Sequence, residues 1–196
     1  MISIERLYSR QVPKSLNAEP TPRGLVALTL EDILNIIGRV QSKHMIGSFI
    51  LDARIALDKK AQNRVVLALQ SQLQHGGMNE HLALGLATTS VAEVCDTNIC
   101  PKCKGTTKAY SKRYDKLFEC SRCNGVGRII LTHDQLYKAI NRFMPADQKL
   151  TQVEFQRKHY DNYMDCVNEL HIEAGNASKW AKELLRRIET NWSGVE

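Results

Sequence analysis

Four cysteines carry the most specific chemistry in this sequence. Cys100-Pro-Lys-Cys103 and Cys120-Ser-Arg-Cys123 are two Cys-x-x-Cys pairs separated by sixteen residues. A Cys-x-x-Cys turn aims both thiols at one point, and two such turns supply the four soft ligands of a tetrahedral zinc site. Each pair runs on into a glycine, Cys103-Lys-Gly105 and Cys123-Asn-Gly125. Glycine there lets the backbone turn tightly behind the second sulfur and point N–H groups at the thiolates. Four cysteines close the coordination shell, whereas a catalytic zinc keeps a position open for water. The expectation is one structural Zn2+ held by Cys100, Cys103, Cys120 and Cys123. Disulfides in their place would require an oxidising compartment. Cys95 and Cys166 lie outside the pairs and read as buried thiols. His133, ten residues past Cys123, is not needed as a ligand and reads as a helix-start residue.

The net charge is +6, and it is unevenly placed. Between Cys100 and Arg142 there are ten basic residues against Asp115, Glu119 and Asp134, so this stretch carries +7 and the remainder −1. A basic block around a zinc site points to a polyanionic partner, and double-stranded DNA is the expectation. Hydrophobic residues at 43% and charged residues at 24% give a soluble globular balance. No run approaches the ~20 apolar residues of a membrane span, and the start lacks the apolar core of a signal peptide. These features predict a cytoplasmic protein with no membrane or small-molecule partner. No Ser/His/Asp arrangement, carboxylate pair or open metal site suggests an enzyme.

The elements that must position the site read as mainly α. Residues 1–28, with Pro13, Pro20, Pro22 and Gly24, suggest a loose arm whose Arg6, Arg10, Lys14 and Arg23 could lie along phosphates. A helical region follows over 29–98. Thr29 caps its first helix, with Leu30, Ile33, Leu34 and Ile37 inward and a break or close contact at Gly38. A second helix covers 41–56 with Met45, Phe49, Ile50 and Ala53 on one face. Asp58 and Asn79 cap a third helix over 59–73 and a fourth to Val94. The zinc module spans 99–131, and its spacer forms a short two-stranded ribbon. In the C-terminal region, 132–196, Thr132 caps a helix over 133–144 with Leu136, Ala139, Ile140 and Phe143 inward. Thr151-Gln-Val-Glu154 is a capping box for a helix to Ala174. Gly175-Asn176 ends that helix, and a last one covers 177–190. Residues 29–196 are expected to form one body.

The cysteine pairs, the basic aromatic spacer, the sequel Tyr137-Lys-Ala-Ile, the Met144-Pro145 turn and the segment Gln41-Ser-Lys-His-Met-Ile-Gly47 together resemble a known family. It is the late-gene antitermination protein Q of lambda-like bacteriophages, matched over roughly 28–175 with a shorter spacer. The resemblance implies a protein that binds DNA at the late promoter and joins paused host RNA polymerase through the sigma factor and the beta flap. It would then travel with polymerase past terminators. The resemblance also implies a helix-turn-helix-like element. Its pair is either the helix ending near Val94 with that over 133–144, the zinc-ribbon-like module being inserted between them, or the helices either side of Pro145. The first is preferred, because it brings the module and a polar helix to one face. Gln135 is then expected to read bases, Lys138, Asn141 and Arg142 to contact DNA, and Lys102, Lys104, Arg122 and Arg128 to contact phosphates. Polymerase contacts fall either to the amino-terminal helices or to the ribbon. Two alternatives are a zinc-containing DNA-binding regulator that does not travel, and a protein-interaction module similar to the Cys-x-x-Cys-x-Gly knuckles of DnaJ-type chaperones. The latter carry four such repeats where this chain has two.

Overall fold

The computed structural model describes residues 3–9, 29–96, 99–111, 113–129 and 131–192. The architecture is mainly α. In chain order the helices are α1 (Ile4–Ser9), α2 (Leu30–Lys43), α3 (Met45–Ile55), α4 (Lys59–His75), α5 (Glu80–Cys95), α6 (His133–Ile140), α7 (Gln152–Lys158) and α8 (Tyr160–Trp192), with strands β1 (Lys108–Ser111) and β2 (Lys116–Glu119) between α5 and α6.

Local chemistry sets most of the starts. Thr29 and Asp32 form a reciprocal capping box, and the Thr29 hydroxyl and amide hold the Asp32 carboxyl below its usual range. Asp58 accepts from the Lys60 amide and Asn79 from the His81 amide, so both anticipated caps form. The Thr151 hydroxyl accepts from the Glu154 amide, but the Glu154 carboxylate pairs with Lys158 at 3.1 Å, so Thr151 acts as a simple cap.

Packing decides the rest. One core joins α3, α4, α5, α6, α7 and the first half of α8, around Ile50, Val65, Leu86, Val91, Ile140, Phe155 and Tyr163. A second core joins α1, α2 and the second half of α8, around Leu7, Tyr8, Ile36, Val40, Ala181 and Leu184. Helix α8 has 33 residues and, at 1.5 Å per residue, is about 50 Å long. It serves both cores. This explains why Gly175 does not stop it as the sequence suggests. A mid-helix glycine costs about 1 kcal/mol, less than the burial of Ala174 and Leu170 on one side and Ala177 and Ala181 on the other.

Four further expectations are corrected. Residues 4–9 are a helix, not a loose arm, with Ile4, Leu7 and Tyr8 buried and the Tyr8 hydroxyl 3.1 Å from Ser48 Oγ. Arg10, Lys14 and Arg23 lie outside the described residues. The break between the first two long helices falls at His44, not Gly38, whose missing side chain faces open space. The stripe of α2 is Ile33, Ile36, Ile37 and Val40, while Leu30, Leu34 and, in α3, Met45 are exposed. Helix α6 stops at Ile140, and 141–144 form a turn. Two glycines permit the close crossings. A Cβ at Gly47 would enter the Glu173 carbonyl of α8 and stand 2.8 Å from Ala177 Cβ, and one at Gly85 would stand 3.0 Å from Ile140 Cγ2.

Candidate metal centre and its basic surroundings

The four cysteines converge between α5 and α6. Cys100, Cys103, Cys120 and Cys123 are all buried, and their sulfurs lie within 4.8 Å of one another. Cys100 and Cys120 Sγ are 3.8 Å apart, and Cys103 and Cys123 Sγ 3.7 Å. A tetrahedron with Zn–S bonds of about 2.3 Å has sulfur–sulfur edges of about 3.8 Å. Both separations far exceed the ~2.05 Å of a disulfide, and all six cysteines of the chain are free. The donor set therefore fits one tetrahedral zinc, which would be wholly ligated by protein.

The two halves of the module repeat each other with a shift of twenty residues. Lys104, Gly105 and Thr107 have φ of 49°, 85° and 65°, and Asn124, Gly125 and Gly127 have 47°, 73° and 79°. The Cys100 amide donates to the Gly127 carbonyl at 2.9 Å, and the Cys120 amide donates to the Thr107 carbonyl at 2.9 Å. Each knuckle thus anchors its first cysteine on the exit of the other. Thr107 accepts a left-handed conformation costly for a β-branched residue. At Gly127 no side chain fits, since a Cβ would stand 2.8 Å from the Gly105 carbonyl oxygen.

Electrostatics around the sulfurs are graded. The backbone N–H groups of Cys103 and Lys102 pull the Cys100 thiol down to about 6 against the opposing effect of burial. Burial also opposes ionisation of Cys120, but the N–H groups of Arg122 and Cys123 outweigh it and the thiol is lowered. Burial pushes Cys123 up to about 11, although the Gly127 amide donates to its Sγ at 3.3 Å. A bound cation would supply the charge that deprotonates all four.

Outside the sulfurs, β1 and β2 pair antiparallel with Lys108 opposite Glu119 and Tyr110 opposite Leu117. Every residue of β2 is exposed, as are Tyr110 and Tyr114. Ile99 bridges Arg128 at the base of the module. There Arg128 lines a cleft of about 470 Å³ against the body, with Arg54, Cys95 and His171.

The basic residues singled out from sequence do not form one uniform set. Lys104, Arg122, Arg128 and Arg142 are exposed. Lys102 donates to Ser121 Oγ at 2.8 Å across the knuckles. Lys138 pairs with Asp134 at 2.7 Å in an exposed i,i+4 surface bridge of the kind that contributes little to stability. Two of the expected DNA contacts have partners within the fold. Gln135 accepts from the Thr132 amide at 3.0 Å in a reciprocal capping box, so its side chain holds the start of α6. The motif Thr132-His-Asp-Gln135 is legible in the sequence and marks that role. Asn141 donates to the Leu150 carbonyl at 2.8 Å and accepts from the Leu150 amide at 2.9 Å. It clamps the Pro145 turn, a long-range use with no local signal.

Helix α6 rests on α5 through Ile140 and on α7 beyond the turn. His133 stands at its first position, with its ring 4.5 Å from that of Tyr160 and Nδ1 3.0 Å from Gln156 Nε2. Cys95 and Cys166 are buried, as expected, and burial pushes each thiol up to about 11. Among the described residues, no helix is long and apolar enough to cross a membrane.

No curated protein matches the chain. One family model matches it twice, over residues 1–99 and 83–190, so that both the helical body and the zinc module fall within the match, and the chain belongs to the family described as conserved hypothetical protein CHP02642.

Proposed function

We propose that this protein is a DNA-binding transcription factor whose basic face is held by a structural zinc. The carrying observation is the placement of charge. The stretch 100–142 bears +7 while the rest of the chain bears −1, and Lys102, Lys104, Lys108, Arg113, Lys116, Arg122, Arg128, Lys138 and Arg142 are all exposed. Such a concentration attracts phosphates and releases counterions on binding. With Gln135 and Asn141 engaged internally, Lys104, Arg122, Lys138 and Arg142 act on the DNA backbone and fix register. The packing of α6 on α5, with the module inserted between them, supports the first helix-turn-helix arrangement.

The resemblance to protein Q sharpens the proposal. The protein binds DNA at a late promoter, joins paused host RNA polymerase through the sigma factor and beta flap, and lets it read through terminators. The metal is assigned no catalysis, because four thiolates fill its shell. The decisive experiment is transcription with host polymerase on a template carrying a promoter-proximal pause and a downstream terminator. Zinc-loaded protein should raise read-through, and a triple Lys104→Ala, Arg122→Ala, Arg142→Ala variant should abolish the effect. Promoter binding without read-through would instead identify a regulator that stays at its site.

A protein-interaction module is the second reading, favoured by the paired knuckles and by the exposed Tyr110 and Leu117 on the ribbon. Suppression of aggregation by the pure protein, with no DNA affinity, would select it.

A further inference from the structure

We propose that the tip of the zinc-module ribbon is a stacking platform for unpaired DNA bases, separate from the duplex-binding face. The proposal rests on the reading of the protein as a DNA binder and assigns a second mode of contact to it. Tyr110, Tyr114 and Phe118 are 59%, 59% and 47% exposed, although they lie within nine residues of one another. All four residues of β2 are exposed, while in β1 only Ala109 and Ser111 are partly buried. Tyr114 and Phe118 stand edge to face with ring centroids 5.7 Å apart, and the Arg113 guanidinium lies 5.5 Å from the Tyr114 ring. The Tyr110 hydroxyl donates to the Asp115 carboxylate, which orients this ring on the opposite face and occupies one of the two acids of the ribbon.

Rings and cations alternate along this segment. Lys108, Lys112, Arg113 and Lys116 stand against Asp115 and Glu119, so the ribbon is net positive as well as aromatic. That combination is the chemistry of single-stranded recognition, in which rings take base faces and cations follow the backbone. A duplex covers its base faces by stacking and would use only the cations. An apolar protein surface would use the rings but would desolvate unpaired charges at a cost. Unpaired DNA satisfies both, as at the edge of a melted promoter segment. The rings are carried by a support that the four sulfurs hold from below, with Ala109 of β1 packed on the cysteine cluster.

The test uses the full zinc-loaded chain and fluorescence anisotropy at low salt. The probes are an oligodeoxythymidine of about twelve nucleotides, an RNA of equal length and a duplex of equal length. The variants are Tyr114→Ala with Phe118→Ala, and Tyr114→Leu with Phe118→Leu, which keeps apolar bulk but removes the π faces. Zinc content reports folding of the module in each. The expected result is a loss of about tenfold or more in single-strand DNA affinity for both pairs, with duplex affinity within about twofold. Equal losses on single strand and duplex would overturn the platform. So would undiminished single-strand binding in the leucine pair, or tighter binding of the RNA. Duplex binding without any single-strand binding by the unaltered protein would remove the platform and leave the duplex reading standing. Binding of neither would remove both.

Discussion

The helical body and the zinc module hold themselves together in opposite ways. In the body, stability comes from area. Two apolar clusters run along α8, and residues such as Val65, Leu86, Ile140, Phe155 and Tyr163 are almost wholly removed from water. In the module there is almost no area to bury. Its core consists of the four cysteines with Ala109 and Ile129 partly covering them, and a two-stranded ribbon of this size is marginal without help. The difference teaches where a coordinated metal would be needed: where apolar periodicity ceases, a few strong bonds would have to replace many weak contacts. It also leaves much of the module's surface open to water, every residue of β2 included.

Removing the metal ligands should separate the two regions most sharply. Structural zinc is worth about 10–16 kcal/mol in small zinc folds. Cys100→Ser or Cys123→Ser should therefore lose zinc and unfold the module, while far-ultraviolet circular dichroism retains the helical signal. Full metal content in both variants would rule out the four-sulfur site.

The converse lesion lies in the body. Gly47→Ala places a methyl against the Glu173 carbonyl and Ala177 where α3 crosses α8. Overpacking of this kind costs about 1–3 kcal/mol. The urea midpoint should fall, and zinc content should not. An unchanged midpoint would mean that α3 and α8 are not pressed together at this point.

The two regions should also fail at opposite ends of the pH scale. Burial raises Cys95 and Cys166 from their ordinary value of 9.0 to about 11, and Tyr8 from 10.0 to about 12. A raised acid binds its proton more tightly when folded. Its contribution is complete below the unfolded value and is lost as pH climbs through the folded one. The body should hold its stability up to about pH 9 and weaken towards pH 11, as read by urea midpoints across that range. The module should weaken in acid instead, because its ligands must be deprotonated to hold metal. Zinc release on lowering the pH, with helicity retained, would mark the boundary.

The smallest contrast is within the turn after α6. Asn141→Ala breaks two hydrogen bonds to the Leu150 backbone and should cost about 1–3 kcal/mol of stability. Arg142→Ala should leave stability unchanged and reduce the salt slope of duplex binding by about one. If Asn141→Ala instead weakened binding with no loss of stability, Asn141 would be a DNA contact.

Signals confined to a few residues were legible without the fold. Thr29, Asp58, Asn79, Thr132 and Thr151 all cap as their types and positions suggest, because a cap requires only the amides two or three residues ahead. Glycines misled. Gly38, read as a break or close contact, and Gly175, read as a stop, lie within continuous helices, whereas Gly47 and Gly85 mark close helix crossings that no local signal announces. A glycine weakens a helix by a fixed small amount, and whether that matters depends on what packs on either side. The short helix α1 was hidden for the same reason: six residues have little helical tendency alone, and Leu7 and Tyr8 are ordered by α3 and α8.

By itself the sequence determined the four-cysteine cluster and the crowding of positive charge around it, since these depend on side-chain type and on spacing within a few turns of chain. Only the tertiary structure decided which of the nearby polar groups remain available. Asn141 is consumed by Leu150, a partner nine residues away, while Tyr114 and Phe118 stay open to water. Exposure belongs to a side chain only once every other segment has taken its place.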